Sequence, residues 1–145
     1  MDQKETTDIL LIEHNPFEAE VTKAAILKSK ITDKIYWAKD GEEAMNFIFG
    51  NTDPQSDQLV NIPRIIILDL KIPKISGIEI LKRIKENPAT SKIIIILLSS
   101  SEESADFLQA INSGVNMCIV KKPDLTSFAN KIKQELGYYW RLFEN

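Results

Sequence analysis

The chain has 145 residues, with 18 Lys and Arg against 21 Asp and Glu and a single His, for a formal charge of −3 at neutral pH. That length suits one domain able to bury its own core without disulfides or structural metal, and it leaves no room for a second, output-type domain. Apolar residues at 43% and charged residues at 27% exclude the composition of a disordered chain, and the slightly acidic balance, without any long Lys/Arg run, argues against a nucleic-acid or anionic-membrane binder.

Ile9-Leu10-Leu11-Ile12 reads as a buried strand from its length and β-branching. Asn15 and Pro16 then supply an N-cap and a first-turn proline for a helix carrying Phe17, Val21, Ala24 and Ala25 on one face. Ile35-Tyr36-Trp37-Ala38 is a weaker second strand, Asp40-Gly41 a turn, and Ala44, Phe47 and Ile48 mark one face of a short helix. The connection from Gly50 to Pro63 is long for this kind of unit and is expected to be mobile or a contact surface.

Arg64 to Leu68 forms a third strand running into Asp69, followed by a Pro73…Gly77 loop and a helix with Ile78, Leu81 and Ile84 on its inner side. Ile93 to Leu98 is a fourth strand ending at Ser99-Ser100-Ser101, hydroxyls suited to capping the next helix. Phe107, Leu108 and Ile111 place that helix, which Ser113-Gly114 closes. Met117 to Val120 is the fifth strand, and Leu125, Phe128, Ile132, Leu136 and Tyr139 form an apolar stripe on a last helix, with Gly137 a candidate bend. Strands that are apolar throughout are covered on both faces, so the class is a doubly wound α/β fold with a parallel sheet. Ligands of such sheets bind beyond the carboxyl ends of the strands, where the strand order reverses.

Cys118 is the only cysteine, which permits neither an intramolecular disulfide nor a multi-cysteine zinc site. Met1 to Asp8 has no apolar core of the secretion-signal type. The longest aliphatic run, Ile93 to Leu98, falls far short of the roughly 20 residues that span a bilayer. A cytoplasmic location is expected.

The first residues beyond the strands are Glu13 and His14, then Asp69, then Ser99, then Lys121-Lys122-Pro123. Each taken singly is an ordinary loop residue. Together they form a site for phosphoryl chemistry, in which one carboxylate attacks phosphorus, another helps hold a divalent cation, and a hydroxyl and an ammonium meet the transferred oxygens.

The segment Ile67-Leu68-Asp69-Leu70-Lys71-Ile72-Pro73-Lys74-Ile75-Ser76-Gly77 resembles the phosphoacceptor strand and loop of the receiver domain of two-component response regulators, with Pro73 and Gly77 at successive intervals of four from Asp69. Ser99, thirty residues further on, and a Lys-Pro pair after the fifth strand also suit that family. The likeness implies a CheY-like, flavodoxin-like five-stranded sheet of order 2-1-3-4-5. Residues 1–145 then form a single receiver domain, with a core of about 8–136, an extended loop at 50–63 and a C-terminal aromatic helix to 145. The Glu-x-Asn-Pro opening, the lengthened loop and that helix are similar to short stand-alone regulators that include partners of bacterial phytochromes.

By the same resemblance Asp69 accepts a phosphoryl group from the phosphohistidine of a sensor histidine kinase or a phosphotransfer protein. Ser99 hydrogen-bonds that group and Lys122 pairs with it, the Lys122-Pro123 peptide being cis. Glu13, Asp69 and the backbone carbonyl of Lys71 bind Mg²⁺ or another divalent cation.

Three positions depart from the family pattern. His14 stands where a second acid usually ligates the metal, and imidazole is a poor partner for Mg²⁺, so His14 as a ligand is left open. Pro123 comes one residue late, so either a bulge precedes Lys122 or Lys121 takes the pairing position; the Lys-Pro adjacency favours Lys122. The switching aromatic of the fifth strand is replaced by Cys118 or Ile119.

Tyr138, Tyr139, Trp140, Leu142 and Phe143 suggest a partner surface, either a homodimer or a kinase contact. The expectation is a stand-alone phosphoacceptor that signals through protein contacts and is no metabolic enzyme. The alternative is a pseudo-receiver that docks a partner without being phosphorylated. An aspartyl phosphatase of the haloacid dehalogenase type expects a second Asp two residues after the first, where Lys71 stands.

Overall fold

The computed structural model describes residues 6–50, 61–100, 105–121 and 124–143. Five strands alternate with five helices: β1 (Ile9–Ile12), α1 (Pro16–Ser29), β2 (Ile35–Ala38), α2 (Gly41–Phe49), β3 (Ile65–Asp69), α3 (Gly77–Glu86), β4 (Ile94–Ser99), α4 (Ala105–Asn112), β5 (Met117–Val120) and α5 (Leu125–Trp140), the last running into a 3-10 turn at Arg141–Phe143. Every strand pairing is parallel, in the order β2-β1-β3-β4-β5. The chain turns one way from β1 to β2 and the other way from β3 onward. The switch point therefore lies between the carboxyl ends of β1 and β3.

Alternate residues of each strand serve opposite faces, which explains why the strands are apolar throughout. Leu10, Ile12, Ile66 and Leu68 pack with Ala44, Ile48, Ile80, Leu81, Ile84 and Ala110 of α2, α3 and α4. Ile9, Leu11, Ile65 and Ile67 pack with Ala19, Ala25 and Ile26 of α1 and with Phe128, Ile132 and Leu136 of α5. Burying each of the Leu, Ile and Phe side chains stabilises the fold by about 1.5–3 kcal/mol relative to leaving it in water.

Local chemistry sets the helix starts. Asn15, Asp40, Ser76 and Asp124 each accept backbone N–H bonds from the first turn of α1, α2, α3 and α5. The cap of α4, expected from the run Ser99-Ser100-Ser101, lies outside the described residues, as does most of the 50–63 connection. Gly77 opens α3 where a Cβ would come within 2.9 Å of the Leu70 Cα and carbonyl oxygen, so only glycine lets that helix start so close to the end of β3.

One detail differs from the sequence expectation. The buried side of α1 is Ala19, Thr22, Ala25 and Ile26, while Phe17 and Ala24 face solvent. The helix has small or apolar residues nearly all round, so its periodicity fitted more than one phase. The last helix, α5, runs unbroken through Gly137 to Trp140. Among the described residues no helix is long and apolar enough to cross a membrane.

Candidate functional site

Asp69 ends β3, and its register partner on β4 is Leu98, one residue before Ser99. Ile12, the last residue of β1, pairs with Leu68, which sets Glu13 beside Asp69 at the switch point. Ser99 pairs with Val120 on β5, and its carbonyl accepts the Lys121 N–H at 2.7 Å, carrying Lys121 to the same end of the sheet. Glu13, Asp69 and Ser99 are all buried despite being polar.

The Lys121 ammonium is the hub. Its Nζ lies 2.9 Å from Asp69 Oδ2 and 3.1 Å from Glu13 Oε1, and it also pairs with the Glu18 carboxylate. Asp69 Oδ1 accepts the Lys71 N–H at 3.0 Å, which fixes the plane of the carboxylate and leaves Oδ2 to the ammonium. Glu13 is held at both ends of the residue: its Oε2 accepts the Asn15 N–H at 3.2 Å, and its carbonyl accepts the Trp37 indole N–H at 2.7 Å. A cavity of about 230 Å³ opens over this group, with Lys71 and Ser100 on its walls and the exposed His14 in its lining.

Three carboxylates against one ammonium leave an excess of negative charge where burial makes charge costly. Glu13 responds most. Burial, with a hydrogen bond and repulsion from Asp69, pushes its carboxyl from 4.5 up to about 8, against the pull of Lys121 and the Asn15 N–H. Burial pulls the Lys121 ammonium down, but hydrogen bonds and attraction from Glu18, Asp69 and Glu13 outweigh it, and the net shift is upward.

Glu13, Asp69 and Ser99 thus stand at the ends of adjoining strands, with Lys71 on the wall of the cavity. Lys122 and the Lys122-Pro123 peptide lie outside the described residues, and the ammonium at Asp69 is that of Lys121. Of the two candidates for the switching position, Cys118 packs toward the α2, α3 and α4 side and Ile119 toward α1 and α5.

Sequence reasoning missed Glu18 and Trp37. Glu18 is the third residue of α1, and an acid in the first turn of a helix starting at a strand-end crevice is a signal that could have found it. Among the described residues, the carboxylates of Glu13, Glu18 and Asp69 form the one group fit to hold a metal ion, with an oxygen of each within 4.8 Å of the others. His14 is outside that group. Glu13 Oε1 and Glu18 Oε1 are buried and share the Lys121 ammonium, and an all-oxygen set with surplus negative charge fits a hard divalent cation.

A doubly wound sheet with an acidic pocket and a lysine at its switch point is suited to phosphoryl chemistry. The family model for the response regulator receiver domain matches residues 9–133, and the chain belongs to that family. It is 29% identical over 134 residues to response regulator Rcp1 of Synechocystis, covering 91% of this chain and 87% of Rcp1. The Mn²⁺-bound form of Rcp1 superposes with a TM-score of 0.78 at 25% identity, over 92% of this chain and 94% of that one. A receiver domain from Rhodospirillum rubrum gives a TM-score of 0.81 at 29% identity over 94% of both chains. The phosphorylated cyanobacterial phytochrome response regulator RcpA gives 0.79 at 26% identity, over 93% of this chain and 94% of that one. The protein is a receiver domain of the two-component kind, homologous to phytochrome response regulators, and the family is a phosphoacceptor signalling module.

Proposed function

We propose that Asp69 is the phosphoacceptor of a cytoplasmic response regulator that takes its phosphoryl group from the phosphohistidine of a sensor histidine kinase or phosphotransfer protein. The observation that carries this reading is the Asp69 carboxylate at the switch point, oriented through Oδ1 by the Lys71 N–H and paired through Oδ2 with Lys121. In the transfer an Asp69 oxygen forms the new bond to phosphorus as the P–N bond to the donor imidazole breaks and that ring takes up a proton. Lys121, in the role first assigned to Lys122, neutralises charge on the phosphoryl oxygens, and the Ser99 hydroxyl donates to one of them.

Glu13 and Asp69, with the Lys71 carbonyl, hold Mg²⁺ or another divalent cation, which when bound offsets the negative charge that builds up on the phosphoryl oxygens. Hydrolysis of the acyl phosphate is slow and is the chain's own only turnover.

Output runs through protein contacts. Tyr138 and Leu142, 62% and 64% exposed at the end of α5, support a homodimer or kinase contact there. With no aromatic on β5, the structural response to phosphate runs through the loop after β4 rather than through an aromatic rotamer.

Incubation with acetyl phosphate and Mg²⁺ or Mn²⁺, followed by intact mass, tests the reading. A gain of one phosphoryl group that Asp69→Asn abolishes is the expected result. No gain under either metal would leave a docking module that is not phosphorylated.

A further inference from the structure

We infer that Glu18 is a carboxylate ligand of the divalent cation, supplying from the first turn of α1 the negative charge that His14 does not supply after β1. The inference rests on the receiver reading of the site and extends it to a residue that the family resemblance did not assign.

Position 14 follows Glu13 directly, and its imidazole is exposed and outside the cluster of oxygen donors. A site left with Glu13 and Asp69 alone offers a hard cation two carboxylates. Glu18 makes three. The Asn15 side chain accepts the Glu18 N–H at 3.1 Å and so fixes where the first turn of α1 begins. Asn15 also donates its own N–H to Glu13 Oε2, so one residue sets the positions of both acids.

The span of 4.8 Å within which the three oxygens lie compares with about 4–5 Å across a cation whose oxygen ligands sit at roughly 2.1–2.5 Å. Small side-chain rotations therefore bring all three into contact with one ion. Independently of the cluster, Glu13 is 1% exposed, and its buried Oε1 depends on the Lys121 ammonium 3.1 Å away, on which Glu18 and Asp69 also draw. A buried carboxylate oxygen that shares one ammonium with two other acids is stabilised by a second cation. At present the Lys121 ammonium pairs with all three acids, and a divalent ion can take over Glu13 and Glu18 while Lys121 keeps Asp69.

The test is a titration of the whole chain with MnCl₂, counting free Mn²⁺ by its electron paramagnetic resonance signal, with no phosphodonor present. The wild type takes up one ion, and Glu18→Gln and Glu13→Gln each weaken uptake by about 10-fold or more. Glu20→Gln, the same charge change at an exposed residue two positions on, stays within about twofold of wild type. The Trp37 indole, bonded to the Glu13 carbonyl, gives a second signal through its fluorescence, and it confirms that each variant keeps the β1–α1 loop folded. If Glu18→Gln binds like Glu20→Gln while Glu13→Gln is weakened, Glu18 is no ligand and the receiver reading stands. If the wild type takes up no Mn²⁺ at millimolar concentration, both this inference and the proposed metal site fall.

Discussion

Glu13 is where charge and burial are least reconciled, and its behaviour with pH follows from that. Its carboxyl is raised from 4.5 to about 8, so between those values the folded protein holds a proton that the unfolded chain has released. The stability this confers is complete below about 4.5 and is lost as the pH climbs through about 8. Asp69, Glu18 and Lys121 are the charged groups facing it, and His14 adds an exposed imidazole in the cavity lining. Thermal melts of the metal-free protein should fall in midpoint from pH 6 to pH 9, and Glu13→Gln should flatten that slope; a wild-type midpoint that rises over the range would contradict the assignment. Lys121→Met leaves three carboxylates with no ammonium, at a cost of about 3 kcal/mol in metal-free urea unfolding, part of which Mn²⁺ restores. Glu13, Asp69 and Ser99 were legible in the sequence because the first residue past an aliphatic run falls at the sheet's carboxyl edge. Choosing between Lys121 and Lys122 was not possible on adjacency to proline, since one residue of slip exchanges their directions. Glu18 was hidden because it belongs to a helix, and strand-end reasoning does not count helix residues.

At the scale of elements, the strands matched the aliphatic runs to within a residue, because a buried parallel strand writes itself as a continuous apolar segment. Helix faces were less legible. In α4 only Ala110 is fully buried, while Leu108 and Ile111 are 56% and 41% exposed, so of the three apolar residues that located the helix only Phe107 packs against the core. The end of α5 is tied down by contacts that no periodicity announces. The Arg64 guanidinium lies 5.4 Å from the Trp140 ring and 5.2 Å from the Phe143 ring and is 3.8 Å from Asp8, while the Tyr139 hydroxyl donates to the Asn116 carbonyl at 2.8 Å. Arg64→Ala should therefore cost about 1 kcal/mol in urea unfolding and loosen the C-terminal turn. No loss of stability would mean that these rings anchor themselves. The loop after β2 is locked to the loop after β3: Gly41 donates its N–H to the Pro73 carbonyl at 3.2 Å, and a Cβ on Gly41 would stand 2.3 Å from the Ile75 carbonyl oxygen. Gly41→Ala should cost about 1–3 kcal/mol, read by the same unfolding curve.

For the whole molecule, the order β2-β1-β3-β4-β5 does the chemical work, since it gathers residues from positions 13 to 121 at one edge of one sheet. Part of the aromatic C-terminal end faces inward, with Trp140 and Phe143 packed toward the α1 and α5 side, so a contact surface there rests on Tyr138 and Leu142. If that surface pairs two copies, light scattering should show a mass that rises with concentration and that Tyr138→Ser with Leu142→Ser returns to the monomer. A wild-type mass constant at the monomer value would remove the dimer. The central claim is that Asp69 bonds to phosphorus. Phosphorylation with a small-molecule phosphodonor and Mn²⁺, borohydride trapping of the acyl phosphate and peptide mapping test it most directly: the reduced residue is expected at position 69 alone, and label at another residue, or none, would contradict it.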